Sequence, residues 1–375
     1  MKSTNSKISP RGLKAILPHG GLPEAISPYM LDLIEKTGGA KGPLGLQFVA
    51  QPEKEKRFFG LKRALDPLNE DLHEIAPGII YKYRGKINKK SQVTQYGRVL
   101  WTITRLCATY CRFCTRGREV GLTAIPSLLG TINKLNSSAT IANKFFLSDD
   151  EITRVFTLLK SRPEINEVIL SGGDPLTAPE PYLTKIIQGL VKLQKEGHID
   201  LIRIGTRLPV HNPEAIKNWH YDLLATIKNP YIMLHINHPA ELTDQTKITL
   251  FNFRKISLAT ILAQTVFLKG VNDSEDTLHE LFINLTKEGI RPYYLLNNDP
   301  VYWSRHFTVP IKRAAKIWGH LRPRLSGICD TAKFIIDVAD GYGKVAVPEG
   351  DSWNFDLTHY RDFKGKKHST GSEGA

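Results

Sequence analysis

From residue 97 onward, short apolar runs alternate with longer amphipathic stretches, the pattern of strand and helix units wound around a parallel sheet. The runs predict strands over 99–104, 168–171, 201–206, 232–237, 265–269 and 293–297. Between the first two, helical spacing over 151–161 sets Ile152, Val155, Phe156 and Leu159 on one face. Ser148 with Glu151 forms the S-x-x-E pattern that starts such a helix. Six strand–helix units predict an α/β fold, a partial (β/α)6 barrel over 97–300. Upstream, 1–96 reads as a mostly helical accessory region broken by prolines, with KINKKSQVTQY (86–96) as a polar surface loop. The stretch 121–147, which contains LNSSATIAN, reads as an inserted loop. Residues 301–360 form a C-terminal segment, and the polar, glycine-rich 361–375 is expected to be a disordered tail.

Composition narrows the class. With 41% hydrophobic residues in 375, the chain has enough apolar material for a sizeable core, which excludes global disorder. No run of about 18 apolar residues occurs, and the start, MKSTNSKISPRGLK, lacks the apolar stretch of an export signal, so no membrane association and a cytoplasmic location are expected. The formal charge is +14. Residues 1–96 hold sixteen Lys and Arg against nine Asp and Glu, half of that surplus. Such a basic end reads as an accessory surface that aids solubility or attracts anions, and a nucleic-acid partner is not expected.

Four cysteines occur, and three of them, Cys107, Cys111 and Cys114, fall within eight residues as C-x3-C-x2-C after the first predicted strand. That spacing is poor for a disulfide framework and good for metal or cluster ligation in a reducing compartment. Three thiolates on a short loop can hold three irons of a [4Fe-4S] cubane and leave the fourth open. S-adenosylmethionine (SAM) can chelate an open iron, where an electron from the reduced cluster splits it to a 5′-deoxyadenosyl radical. The rival is zinc, which takes four ligands, usually as two C-x2-C pairs, and no second pair exists here. Cys329 reads as a small core residue. One unit later, Ser171, Gly172, Gly173 and Asp174 end the next strand. The glycines permit close backbone approach, and Asp174 offers an acceptor for the SAM ammonium group.

From residue 66 to 348 the chain resembles the lysine 2,3-aminomutase family. DPLNED, CATYCRFCTR, LSGGDPL, RIGTRLPV, LHINHPAEL, FLKGVND, RPYYLLNND, HFTVPI and FIIDVADGYGK carry the resemblance in fixed order. It implies a radical SAM barrel that uses SAM with pyridoxal 5′-phosphate (PLP) to move an α-amino group to the β-carbon. Cys107, Cys111 and Cys114 match the cluster ligands, and Lys344 matches the lysine that carries PLP. Arg116 matches the arginine that pairs with the substrate carboxylate, a role suited to a bidentate fork. Asp299 and Asp337 match the two aspartates that hold the distal ammonium of lysine; paired carboxylates in a dry pocket repel unless a cation lies between them. Arg98 matches a contact to the PLP phosphate, and its tyrosine neighbour is Tyr83 or Tyr96. Ser274 stands where long relatives have a zinc-binding cysteine, so zinc is not expected. The run before Lys344 is interrupted by Asp340 and Tyr342.

The resemblance thus implies an isomerase making β-lysine from lysine, close to the short branch that supplies elongation factor P modification, with a reducing electron donor as partner. Assembly into a homo-oligomer stays open. So do action on arginine, glutamate or RNA, and an iron-sulfur protein with a degenerate site.

Overall fold

A computed structural model describes residues 24–55, 66–120, 145–339, 343–348, 359–361 and 366–369. In chain order its strands are β1 (Glu74–Ala76), β2 (Ile79–Tyr83), β3 (Lys86–Ile87), β4 (Val93–Gln95), β5 (Gly97–Thr104), β6 (Ile165–Gly172) and β7 (Leu201–Thr206). There follow β8 (Tyr231–His235), β9 (Thr260–Phe267), β10 (Arg291–Asn297), β11 (Lys333–Asp337), β12 (Lys344–Ala346), β13 (His359–Arg361) and β14 (Lys367–Ser369). One ten-stranded sheet runs β1-β2-β5-β6-β7-β8-β9-β10-β11-β12. Strands β5 to β11 are parallel, while β1, β2 and β12 pair antiparallel at the two ends. The sheet curls into an open barrel whose ends approach each other: His73 Nε2 lies 3.4 Å from Ala339 O.

The parallel strands are buried on both faces, and their side chains divide by period two. Val99, Trp101 and Ile103 on β5, Val168 and Leu170 on β6, and Ile202 and Ile204 on β7 point into the helix layer and belong to one continuous core. Their alternates, among them Arg98, Ile169, Ser171, Arg203 and Gly205, line the lumen. The outer layer includes Asp149–Ser161, Glu180–Lys195, Asp244–Ile256 and Glu275–Lys287. Ser148 starts the first of these with a complete capping box, and its apolar stripe buries Ile152, Val155 and Leu159, with Phe156 packed at the margin. Cys329 is fully buried in the same core and meets Thr286 Oγ1 at 3.0 Å.

Several expectations need correction. The fifth strand spans Thr260–Phe267 rather than 265–269. Among the described residues of 1–96, helices share the segment with strands: β1 and β2 extend the main sheet, and 86–96 includes a β-hairpin instead of a loop. Its turn is built by Asn88, whose Oδ1 accepts from the Lys90 and Gln92 amides, both at 2.9 Å. Within the C-terminal segment 301–360, β11 and β12 are strands of the main sheet. Within the expected tail, Lys367–Ser369 pairs with His359–Arg361. Most of the 121–147 insertion and Asp340, Gly341 and Tyr342 lie outside the described residues.

Candidate active site

The carboxyl ends of parallel strands in a barrel are where side chains from many strands converge. Here a cavity of about 490 Å³ opens at those ends and runs down the lumen. The cysteine loop after β5, Ser171 to Asp174 at the end of β6, Asp299 after β10 and Asp337 at the end of β11 all border it, as do Arg98, Arg116 and Lys344. Every residue the sequence singled out for chemistry therefore reaches one space.

Burial raises the thiols of Cys107, Cys111 and Cys114; neighbouring anionic groups add to the rise at Cys107, Arg207 opposes it at Cys111, and Cys114 is pushed up to about 12. A bound iron centre would favour their thiolate forms. Among the described residues, no three His, Cys, Asp or Glu side chains converge on a point that one ion would occupy. Three thiolates on one loop beside the cavity can each take one iron, the donor set of a [4Fe-4S] cubane.

The glycines after β6 serve the cysteine loop. A Cβ on Gly172 would meet Thr104 O at 2.1 Å, and one on Gly173 would meet Leu106 O at 2.0 Å. The Gly173 and Asp174 amides donate to these carbonyls at 2.7 and 2.6 Å. Asp174 also serves the protein itself. Its carboxylate accepts from Leu176 N, Thr206 Oγ1, Arg207 N and Leu208 N at 2.7–3.1 Å, which leaves little acceptor capacity for a SAM ammonium group. It clasps the loop after β6 to the loop after β7.

Arg116 is not free either. Its Nε and Nη2 donate to the two oxygens of Glu70, each at 2.7 Å, and Nη1 reaches Ser171 Oγ at 3.3 Å. Lys82 also pairs with Glu70. Burial alone would raise the Glu70 carboxyl, but the Arg116 and Lys82 charges overcome it and hold the group well below the usual carboxylate range. The edge of Arg116 formed by Nη1 and Nη2 retains hydrogens for a second carboxylate.

Beside Arg116 on the cysteine loop, Thr115 Oγ1 donates to Asp299 Oδ2 at 2.9 Å. Burial, and next the charge of Asp337, push the Asp299 carboxyl up to about 6. Lys344 Nζ donates to both oxygens of Asp337, at 2.5 and 2.7 Å, and lies 5.5 Å from the centre of the Tyr294 ring. Two residues matched to different ligands thus touch each other, with the Lys344 ammonium against Asp337. Arg98 lies opposite Tyr83 in the β2–β5 register, 5.5 Å from its ring centre, while Tyr96 is 56% exposed. Tyr83 is therefore the neighbour of Arg98. The cationic groups Lys82 and Arg98 with the Tyr83 hydroxyl, on the same cavity wall system as the amine Lys344, make a donor set that fits a phosphate-bearing aldehyde such as PLP.

Sequence reasoning did not single out Glu70, Lys82 and Arg207. The first stands inside DPLNED, and Lys82 in the β-branched and aromatic run IIYKY, itself a strand signal. Arg207 follows a barrel strand directly, a position that marks functional residues in such folds.

The profile of the Radical SAM superfamily matches residues 101–282. The chain is 30% identical over 345 residues to the L-lysine 2,3-aminomutase of Methanococcus maripaludis, covering 92% of this chain and 71% of that protein. It is 30% identical over 346 residues to the L-lysine 2,3-aminomutase of Clostridium subterminale, covering 91% and 73%. A putative L-lysine 2,3-aminomutase of Aquifex aeolicus is also 30% identical, over 341 residues, with 90% and 81% covered.

Proposed function

The chain belongs to the L-lysine 2,3-aminomutase family of radical SAM enzymes, and on that footing we propose that it converts L-lysine to β-lysine by moving the amino group from Cα to Cβ. The observation that carries this reading is that one cavity is lined by both kinds of group, the cations Arg116, Lys82 and Lys344 and the carboxylates Asp299 and Asp337. An α-amino acid whose carboxylate meets Arg116 must direct its side chain to the remaining end. Two carboxylates there favour an ammonium and reject a second carboxylate.

In this reading Cys107, Cys111 and Cys114 hold a [4Fe-4S] cluster with SAM, Lys344 holds PLP, and Lys82, Tyr83 and Arg98 take its phosphate. When bound, these cofactors supply a deoxyadenosyl radical for hydrogen removal and a π-system through which nitrogen can migrate. The protein positions and encloses. Glu70 fixes the Arg116 fork so that only its Nη1–Nη2 edge faces the cavity, and Thr115 orients Asp299. Phe113, Leu100, Ile169 and Met233 line the walls with apolar surface that keeps water from the reacting atoms. Asp337 accepts from Lys344 Nζ and so holds the amine at the cavity.

Borohydride reduction in the presence of PLP should fix the cofactor to Lys344, and Lys344→Ala should abolish labelling while leaving iron content unchanged. A peptide map showing the label on another lysine contradicts the assignment.

A further inference from the structure

Behind the cysteine loop lies a buried charged cluster that the amino-migration reading does not use. Arg207 Nη1 donates to Cys111 Sγ at 3.0 Å. Its Nη2 donates to Gln47 Oε1 at 2.7 Å and to Glu241 Oε2 at 2.9 Å. Gln47 Nε2 in turn donates to Glu241 Oε1, and Asn237 Nδ2 to Gln47 Oε1, each at 2.9 Å. The side chains of Arg207 and Glu241 are only 4% and 0% exposed. The guanidinium carbon also lies 4.9 Å from the ring centre of Phe48 and 5.5 Å from that of Phe113. A guanidinium held on these sides cannot leave the sulfur by a rotamer change.

A buried ion pair costs solvation that an apolar pair would not, and stability alone is a weak reason to find one here. Its geometry suits a different task. Arg207 touches the sulfur directly, whereas Glu241 acts on it through Arg207. Reducing a cluster by one electron adds negative charge to the iron-thiolate unit. A charge-assisted N–H donor on a ligand sulfur stabilises the reduced form more than the oxidised one. A carboxylate close behind opposes that effect.

We propose that Arg207 is a positioning residue for the cluster, fixing Cys111 Sγ and raising the reduction potential, and that Glu241 limits the rise. This rests on the reading that the three cysteines hold a [4Fe-4S] cluster. The two residues should then act with opposite sign, which a merely structural role does not require.

The test is a dithionite titration of the reconstituted full chain without substrate, followed by electron paramagnetic resonance. Arg207→Gln should shift the midpoint downward and Glu241→Gln upward, each by about tenfold in the reduction equilibrium, or ~59 mV for one electron. The double variant should fall between them. Unchanged midpoints, or shifts of the same sign, overturn the proposal. If Arg207→Gln fails to keep iron, Glu241→Gln decides alone: an upward shift supports the proposal, and an unchanged or lower midpoint overturns it. An unmodified protein that takes up no iron and sulfide instead defeats the cluster reading, and this inference falls with it.

Discussion

Asp299 carries a carboxyl pushed up to about 6, first by burial and then by the charge of Asp337. A folded-state value above the ordinary one means that the native protein binds this proton more tightly than the unfolded chain. Stability from this group is therefore lost as pH rises from about 4 through 6, and a cation between the carboxylates offsets the loss. A lysine ammonium needs Asp299 ionised, so lysine binding should weaken as pH falls through about 6, by at most about tenfold per pH unit for one proton. Asp299→Asn should flatten that dependence. The pH profile of lysine KM checks this, and a flat profile for the unmodified enzyme between pH 5 and 7 contradicts it. The residues behind this prediction were legible only through the family motifs, because a single aspartate in a loop carries no signal of its partner. Glu70 and Lys82 were missed for the same reason: their meaning comes from Arg116, 46 and 34 positions away in sequence, and only the fold supplies that neighbour.

At the scale of elements, Gly173 shows why the loop after β6 and the cysteine loop form one unit. A methyl group there would sit 2.0 Å from the Leu106 carbonyl, a backbone atom with no side-chain freedom to yield. Gly173→Ala should cost about 3 kcal/mol or more and lower iron content. Thermal unfolding together with iron analysis checks this; a variant with normal iron and unchanged melting contradicts it. The six central strands and the capped helix were legible because period two, helical spacing and a capping box are local signals. The β3–β4 hairpin was not, since its strands are short and polar and its turn depends on one asparagine side chain. The internal partners of Asp174 were not legible, because a carboxylate at a strand end looks alike from sequence whether it serves a ligand or, as here, four donors within the protein as well.

At the scale of the molecule, the ends of the chain complete the barrel. Glu70, Lys82 and Tyr83 come from the first 96 residues, and Asp337 and Lys344 from beyond residue 300. Gln47 of the N-terminal helices reaches Arg207, and its carbonyl receives the Arg112 amide at 2.8 Å. A division into core and accessory ends thus separated groups that one cavity brings together. No helix among the described residues is long and apolar enough to cross a membrane. A cavity that holds Arg116 together with the Asp299 and Asp337 carboxylates makes a definite claim about substrate, and product analysis tests it most directly. Anaerobic reactions with SAM, PLP and reductant, supplied with lysine, arginine or glutamate, should yield β-lysine from lysine and no β-glutamate from glutamate. Efficient β-glutamate formation, or lysine left unconverted by a protein loaded with cluster and PLP, would contradict the account.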